Sequence, residues 1–265
     1  MRLASIVMIA LLRYETTKRC IESIFERTMA PFELIVVAVD CEKKMREFFE
    51  DLQRKKKNLK VIHIKSGLGT TGSRNVGIRA CSGDYIVFMD NDALVSEGWL
   101  GKLERVAESS PDIGLVGPKI LRKSGEIYYC SKYMNAKVEG GKVVEMGLSK
   151  TEVYSGDDPE VNRQEEVVWY PTTTLLVKRE VIEKVGGFDE AFFLVDEDKD
   201  LCLSAREAGY KTIYAPYAEV VHLHDYRLVD RHNTYHKNFR LRMDLIEKDN
   251  KNFEKKWGLR LVDIW

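Results

Sequence analysis

Two acidic stretches carry the side chains best suited to chemistry. The apolar run Tyr85 to Met89 ends abruptly in Asp90-Asn91-Asp92. On an extended chain, residues i and i+2 point the same way, about 6.5–7 Å apart. Two carboxylates so placed repel each other unless a cation stands nearby. Hard oxygen ligands of this kind suit Mg2+ or Mn2+ shared with a diphosphate. The plain alternative is a polar turn after a strand. The second stretch, "LVDEDKDLCLSARE", holds Asp196, Glu197, Asp198 and Asp200. It nearly follows a calcium loop that would end at Glu207. Leu201, however, stands where the sharp turn needs glycine, and the preceding "GGFDEAFF" does not read as a helix. Leu201, Ala205 and Ala208 recur at helical spacing and Gly209 supplies a stop. A helix is therefore predicted to begin inside the cluster, near Asp198 to Asp200. A helix N-terminus favours negative charge, which predicts that Asp198 stays ionised. Some of these acids would then only solvate and cap the helix.

Two further motifs are weaker. In "GLGTTGSRN", Gly67, Gly69 and Gly72 satisfy the G-x-G-x-x-G dinucleotide fingerprint. They follow the third predicted strand rather than the first, and the next suitably spaced acid is Asp90, which the D-x-D already uses. A glycine-rich turn that lets backbone approach a phosphate or a base is the surviving reading. His222 and His224 flank Leu223 at the end of "PYAEVVHLHD". A neutral imidazole there can ligate a metal or contact phosphate, though lone histidines are more often structural.

The elements that must position these residues alternate regularly. Apolar runs at 5–10, 32–39, 60–65 and 84–90 read as strands. Thr16 to Arg27, Lys43 to Lys56 and Ser73 to Ala80 read as helices between them. This order predicts a mostly parallel sheet with helices on both faces. The N-terminal "MRLASIVMIALLR" has a signal-peptide flavour, but an ordinary helix pattern follows it and it is read as a buried strand. Beyond residue 120, "NAKVEGGKVVEMG" predicts a hairpin turning at Gly140-Gly141. Residues 147–166 read as polar loop, and "WYPTTTLLVKRE" restores a strand followed by a helix. The last forty residues read as one or two appended helices.

Composition narrows the class. The 265 residues suffice for one large core. Lys+Arg and Asp+Glu balance at 42 each, so nothing global points to nucleic acid as a partner. Five scattered cysteines without a C-x-x-C read as reduced thiols in a cytoplasmic protein. No run approaches the ~20 apolar residues that a membrane span needs.

Taken in order, "KRCIESI", "GTTGSRNVGIRACSGDYIVFMDND", "GGFDEAFFLVDEDKDLCLSAREAGY" and "PYAEVVH" resemble the family 2 glycosyltransferases of the GT-A fold. The resemblance runs from about Ser5 to His222. It implies an inverting, Mn2+- or Mg2+-dependent transfer of a sugar from a nucleotide-diphosphate donor to a hydroxyl acceptor, such as a glycan or a lipid-linked glycan. It implies that Asp40 contacts the base and that Gly69, Arg74 and Asn75 line the nucleotide pocket, with Asn91 in the same binding set. Asp90 and Asp92 would be the D-x-D, Asp92 the firmer metal ligand, and His222 a third metal or phosphate contact. Glu197-Asp198 matches the family's E-D pair, which makes Asp198 the general base and Glu197 its neighbour. The sequence departs from the family at Ala10-Leu11-Leu12 and at Asp40-Cys41-Glu42-Lys43, both at the base-binding end.

On this reading, residues 1–225 form the transferase domain, with a nucleotide half (1–119) and an acceptor half (120–225), and 226–265 form a helical extension. Trp169 and Tyr170 are candidate sugar platforms, with core packing as the alternative. The aromatic and basic tail, including Phe239, Leu241, Leu245, Phe253, Trp257 and Trp265, is a candidate cleft cover, homodimer contact or peripheral contact with the inner face of a membrane. A sugar-phosphate nucleotidyltransferase is a rival, although its glycine-rich basic signature is missing after the first strand. A non-catalytic nucleotide-sugar binding module is another.

Overall fold

The computed structural model describes residues 2–11, 13–65, 67–223 and 242–262. The first half alternates strictly: β1 (Ala4–Ala10), α1 (Tyr14–Arg27), β2 (Phe32–Val39), α2 (Lys43–Lys55), β3 (Leu59–Ile64), α3 (Gly69–Ala80) and β4 (Tyr85–Asp90). β1, β2 and β4 read as continuous apolar runs because both faces of the sheet are covered there. Alternate residues prove it. Val7, Ile35, Val37, Ile86 and Phe88 enter one core cluster, while Ile6, Met8, Leu34, Val36, Val87 and Met89 enter the other.

The second half is mixed. It contains β5 (Ala93–Val95), α4 (Trp99–Ala107), β6 (Ile113–Leu121), β7 (Ile127–Tyr129), β8 (Met134–Glu139), β9 (Lys142–Leu148), β10 (Glu165–Val167), β11 (Thr174–Lys178), α5 (Arg179–Val185), α6 (Glu197–Glu207) and β12 (Lys211–His222). The strand order is β10-β12-β6-β11-β4-β1-β2-β3. β1 pairs in parallel with β2 and β4, and β12 pairs in parallel with β6, but β11 is antiparallel to both of its neighbours. The sheet is thus continuous across the boundary expected near residue 120.

Chain order reverses between β1 and β4, and ligands of open α/β sheets bind beyond the carboxyl ends of strands at such a point. Asp90 closes β4 there, in register with Ile9 of β1. The expected hairpin is β8–β9. It turns at Gly140 and Gly141 with φ of 55° and 82°, the positive values that a tight two-residue hairpin turn demands.

Three expectations need correction. α3 starts at Gly69, four residues before Ser73, because a φ of 64° and close docking at Gly69 let the helix begin there. Residues 147–166 are not all loop, since β9 runs to Leu148 and β10 begins at Glu165. The tail is not purely helical. After α7 (Met243–Trp257), the short β13 (Arg260–Leu261) pairs in parallel with β9. His224, Phe239, Leu241 and Trp265 lie outside the described residues. Among the described residues, no helix is long and apolar enough to cross a membrane.

Candidate functional site

Three side chains converge at the carboxyl edge of the sheet. Asp90 ends β4, where its N–H donates to the Thr173 carbonyl at 3.0 Å. Asp92 follows in the turn to β5, and His222 ends β12 opposite Ala93. His222 Nε2 lies 3.1 Å from Asp92 Oδ1 and 3.8 Å from Asp90 Oδ2. One ligand atom from each of the three residues fits within 4.8 Å of the others. Two carboxylates and an imidazole at that spacing form a group able to hold a divalent cation and leave positions for phosphate oxygens. Asp92 and His222 are both buried, which fixes the donors before any ligand arrives. The His222 ring stacks on Tyr128 at 4.7 Å and 12°.

One neighbour of this group was invisible in the sequence. Arg13 Nη1 donates to Asp92 Oδ2 at 2.5 Å. Arg13 has a φ of 59° and stands just before α1, in the turn where the sequence departs from the family pattern. A single arginine after a strand carries no motif; only the folded turn brings it to the D-x-D.

Arg74 links this group to the second acidic stretch. Its Nη1 donates to Glu197 Oε1 at 2.6 Å, and its Nη2 stands 3.9 Å from Asp90 Oδ1. Arg74 and Glu197 are both buried, so Glu197 is held by a countercharge. Asp198, next in α6, is half-buried and accepts the Lys199 N–H at 2.7 Å. Burial, and then the Glu197 carboxylate, push the Asp198 carboxyl above the usual carboxylate range. This reverses the expectation that the helix start would favour its charge, because desolvation outweighs the helix field. A raised carboxyl is the better proton acceptor.

The remaining acids divide. Asp196, with φ of 64°, turns the chain into α6 and accepts Lys199 Nζ at 2.8 Å. Asp200 accepts Trp257 Nε1 at 2.8 Å and Lys256 Nζ at 2.7 Å, both from α7.

The glycine-rich segment is tied to the loop before α6. A Cβ on Gly69 would stand 2.6 Å from the Phe193 carbonyl oxygen, so only glycine fits. Thr70 N–H donates to that same oxygen at 2.8 Å. Asn75 spends both amide atoms on the loop before α6. Its Nδ2 donates to Phe188 O and Glu190 Oε1, and its Oδ1 accepts Phe188 N–H. Asn91 Nδ2 donates to Thr17 Oγ1 at 2.8 Å, toward α1. Gly69, Asn75 and Asn91 therefore hold the frame around the cleft. Asp40 is exposed at the end of β2, with φ of 40°.

Tyr170 cannot serve as a sugar platform. It is fully buried, packs against Gly117 and Tyr214, and its hydroxyl donates to Pro118 O at 2.5 Å. Trp169 is also buried, with Lys199 Nζ 5.0 Å from its ring centroid. It borders the acidic stretch instead of an open surface.

Comparison with known proteins identifies the family and the fold. A family model described as glycosyltransferase like family 2 matches residues 4–234. A pre-mycofactocin glycosyltransferase of Mycobacterium tuberculosis is 31% identical over 176 residues, covering 65% of this chain and 34% of that protein. The N-acetylglucosaminyl-diphospho-decaprenol L-rhamnosyltransferase of the same organism is 31% identical over 144 residues, covering 52% of this chain and 47% of that protein. This chain therefore spans less than half the length of either relative. Among solved structures, the mannosyltransferase PcManGT from Pyrobaculum calidifontis, in complex with GDP-Man and Mn2+, superposes with a TM-score of 0.64 at 15% identity. That match covers 96% of this chain and 64% of the other.

Proposed function

Because the chain belongs to glycosyltransferase family 2 and has the GT-A fold, we propose that it transfers a sugar from a nucleotide-diphosphate donor to an acceptor hydroxyl, with inversion. The observation that carries this reading is the pair of acidic sites bridged by Arg74. Asp90, Asp92 and His222 form one, and Glu197, which Arg74 holds, with its neighbour Asp198 forms the other.

Asp92, Asp90 and His222 are the residues that would hold Mn2+ or Mg2+. When bound, such an ion stabilises charge on a departing nucleoside diphosphate. Arg74 keeps Glu197 paired and adds positive charge beside Asp90. Asp198 takes the proton from the acceptor hydroxyl as it attacks from the opposite face, a task typically worth roughly 10²–10⁴-fold. Its raised carboxyl suits that task. Asp40 lies at the end of the cleft proposed for the base.

The acceptor is proposed to be a glycan or a lipid-linked glycan. Support comes from the rhamnosyltransferase relative, whose name specifies a decaprenyl-linked acceptor. Contact with a membrane surface or with a second copy of the chain would then be peripheral to the chemistry.

A thermal-shift screen tests the reading directly. UDP, GDP, dTDP and their sugars are offered with and without Mn2+, and nucleoside diphosphate release is followed for each donor. One nucleotide should stabilise the protein only with the metal, by about 2.7 kcal/mol at a hundred times its Kd. The reading fails if no nucleotide stabilises the protein and no donor is turned over.

A further inference from the structure

Asp249 lies on α7, beyond the stretch that the family model matches, yet it grips the loop that leads into α6. Its side chain is fully buried. Oδ2 accepts the backbone N–H groups of Phe193, Leu194 and Val195 at 3.0, 2.6 and 3.1 Å. Successive amides converging on one carboxylate oxygen form an anion nest, and each bond is charge-assisted.

The same loop is held from its other side through its carbonyls. Phe193 O accepts Thr70 N–H at 2.8 Å, and Phe192 O accepts Thr71 Oγ1 at 2.5 Å. Asp196 then turns the chain at positive φ into the first turn of α6, which carries Asp198. α7 reaches that turn directly as well, through Trp257 and Lys256 on Asp200. Phe253, fully buried on α7, packs its ring 6.1 Å from that of Phe192.

The geometry points to Asp249 as a positioning residue for the Asp198 carboxylate, and to α7 as a working part of the transfer site. This inference rests on the proposed role of Asp198 as base. Asp249 touches no reacting atom. It removes the freedom of residues 193–195, whose amides would otherwise need water or other partners. A base must stand within about 2.6–3.2 Å of the proton it takes. A misplacement of about 1 Å costs on the order of 10²-fold.

The test uses the full chain carrying Asp249→Asn or Asp249→Glu. Nucleoside diphosphate release is measured with Mn2+ and whichever UDP-, GDP- or dTDP-sugar the wild type turns over, water serving as acceptor. Asp249→Asn should lower kcat by about 10–100-fold, with donor KM and Mn2+ affinity within about twofold of wild type. Amide exchange at Phe193, Leu194 and Val195 should quicken while β1 and β4 hold. Asp249→Glu should recover part of the rate. The inference is overturned if kcat is unchanged although the amides are released. It is also overturned if kcat, KM, Mn2+ affinity and melting temperature all worsen together, since Asp249 would then only hold the fold.

If the wild type turns over no donor, the transfer reading stands or falls on the thermal-shift screen, apart from this test. Exchange and a carboxyl-carbon NMR titration of Asp198 then decide the clamp. A titration that moves in Asp249→Asn supports it, and one that stays put with freed amides defeats it. If Asp249→Asn does not fold, Trp257→Phe and Lys256→Met take its place. A fall in kcat at constant Mn2+ affinity supports α7 as a working part of the transfer site, and an unchanged kcat overturns that role.

Discussion

Arg74 and Glu197 are 123 residues apart in the chain and 2.6 Å apart in space, both buried. Their ion pair ties α3, on the proposed donor side, to α6, which carries the proposed base. Breaking a buried pair by removing one partner typically costs about 3–5 kcal/mol, because the other charge is stranded. Arg74→Gln should show a loss of that order in denaturant unfolding. Arg74→Gln combined with Glu197→Gln should be less damaging than the sum of the two single changes. Strict additivity would show that the pair is not coupled.

Asp198→Asn should keep the fold and Mn2+ binding while losing roughly 10²–10⁴-fold in turnover. The sign of the pH dependence follows from the raised carboxyl. The base works only when ionised, so activity falls as pH drops through its raised value. The acid limb of the kcat profile should therefore lie above the ordinary carboxylate range near pH 4. A limb near pH 4, or a variant with near-normal turnover, would remove Asp198 from the role.

Metal dependence should trace to the edge of the sheet. Chelation should abolish transfer, and added Mn2+ should restore it. Asp92→Ala removes the buried member of the D-x-D and should erase most of the calorimetric heat of Mn2+ binding. Unaltered Mn2+ affinity in that variant would place the metal elsewhere.

Tyr170 makes a contrasting prediction. Its ring fills the space beside Gly117, so Tyr170→Ala should cost about 3–5 kcal/mol of stability. The hydroxyl bonds only backbone carbonyls, so Tyr170→Phe should cost about 1–2 kcal/mol. Neither change should alter acceptor KM once the protein is folded. A selective rise in acceptor KM for Tyr170→Phe would restore it as a binding residue.

Much of this was legible in the sequence because it depends on local pattern. Buried parallel strands announce themselves as apolar runs, and the D-x-D follows from strand period and strand ending. The Gly140-Gly141 hairpin was equally plain. What could not be read depends on contacts far apart in sequence. Nothing near Arg13 says that its guanidinium will reach Asp92. Asn75 has the spacing of a ligand contact, yet its amide is used on Phe188, 113 residues away. The direction of the Asp198 shift was misread because position in a helix is visible in sequence and desolvation is not. Trp169 and Tyr170 failed for the same reason, since an aromatic pair looks alike in a core and in a cleft.

β11 pairs with β4 through Thr174–Lys178 and with β6 through Leu176 and Val177. It occupies the slot between two strands that precede it by more than fifty residues of chain, counted from the end of β6 at Leu121 to Thr174. A strand inserted so late must close large loops, which slows folding. Until it arrives, the facing edges of β4 and β6 carry open rows of amides and carbonyls, the usual template for pairing with another chain. Until β11 docks, this protein therefore carries an added aggregation hazard in the middle of its sheet, beyond that of its outer strands β10 and β3.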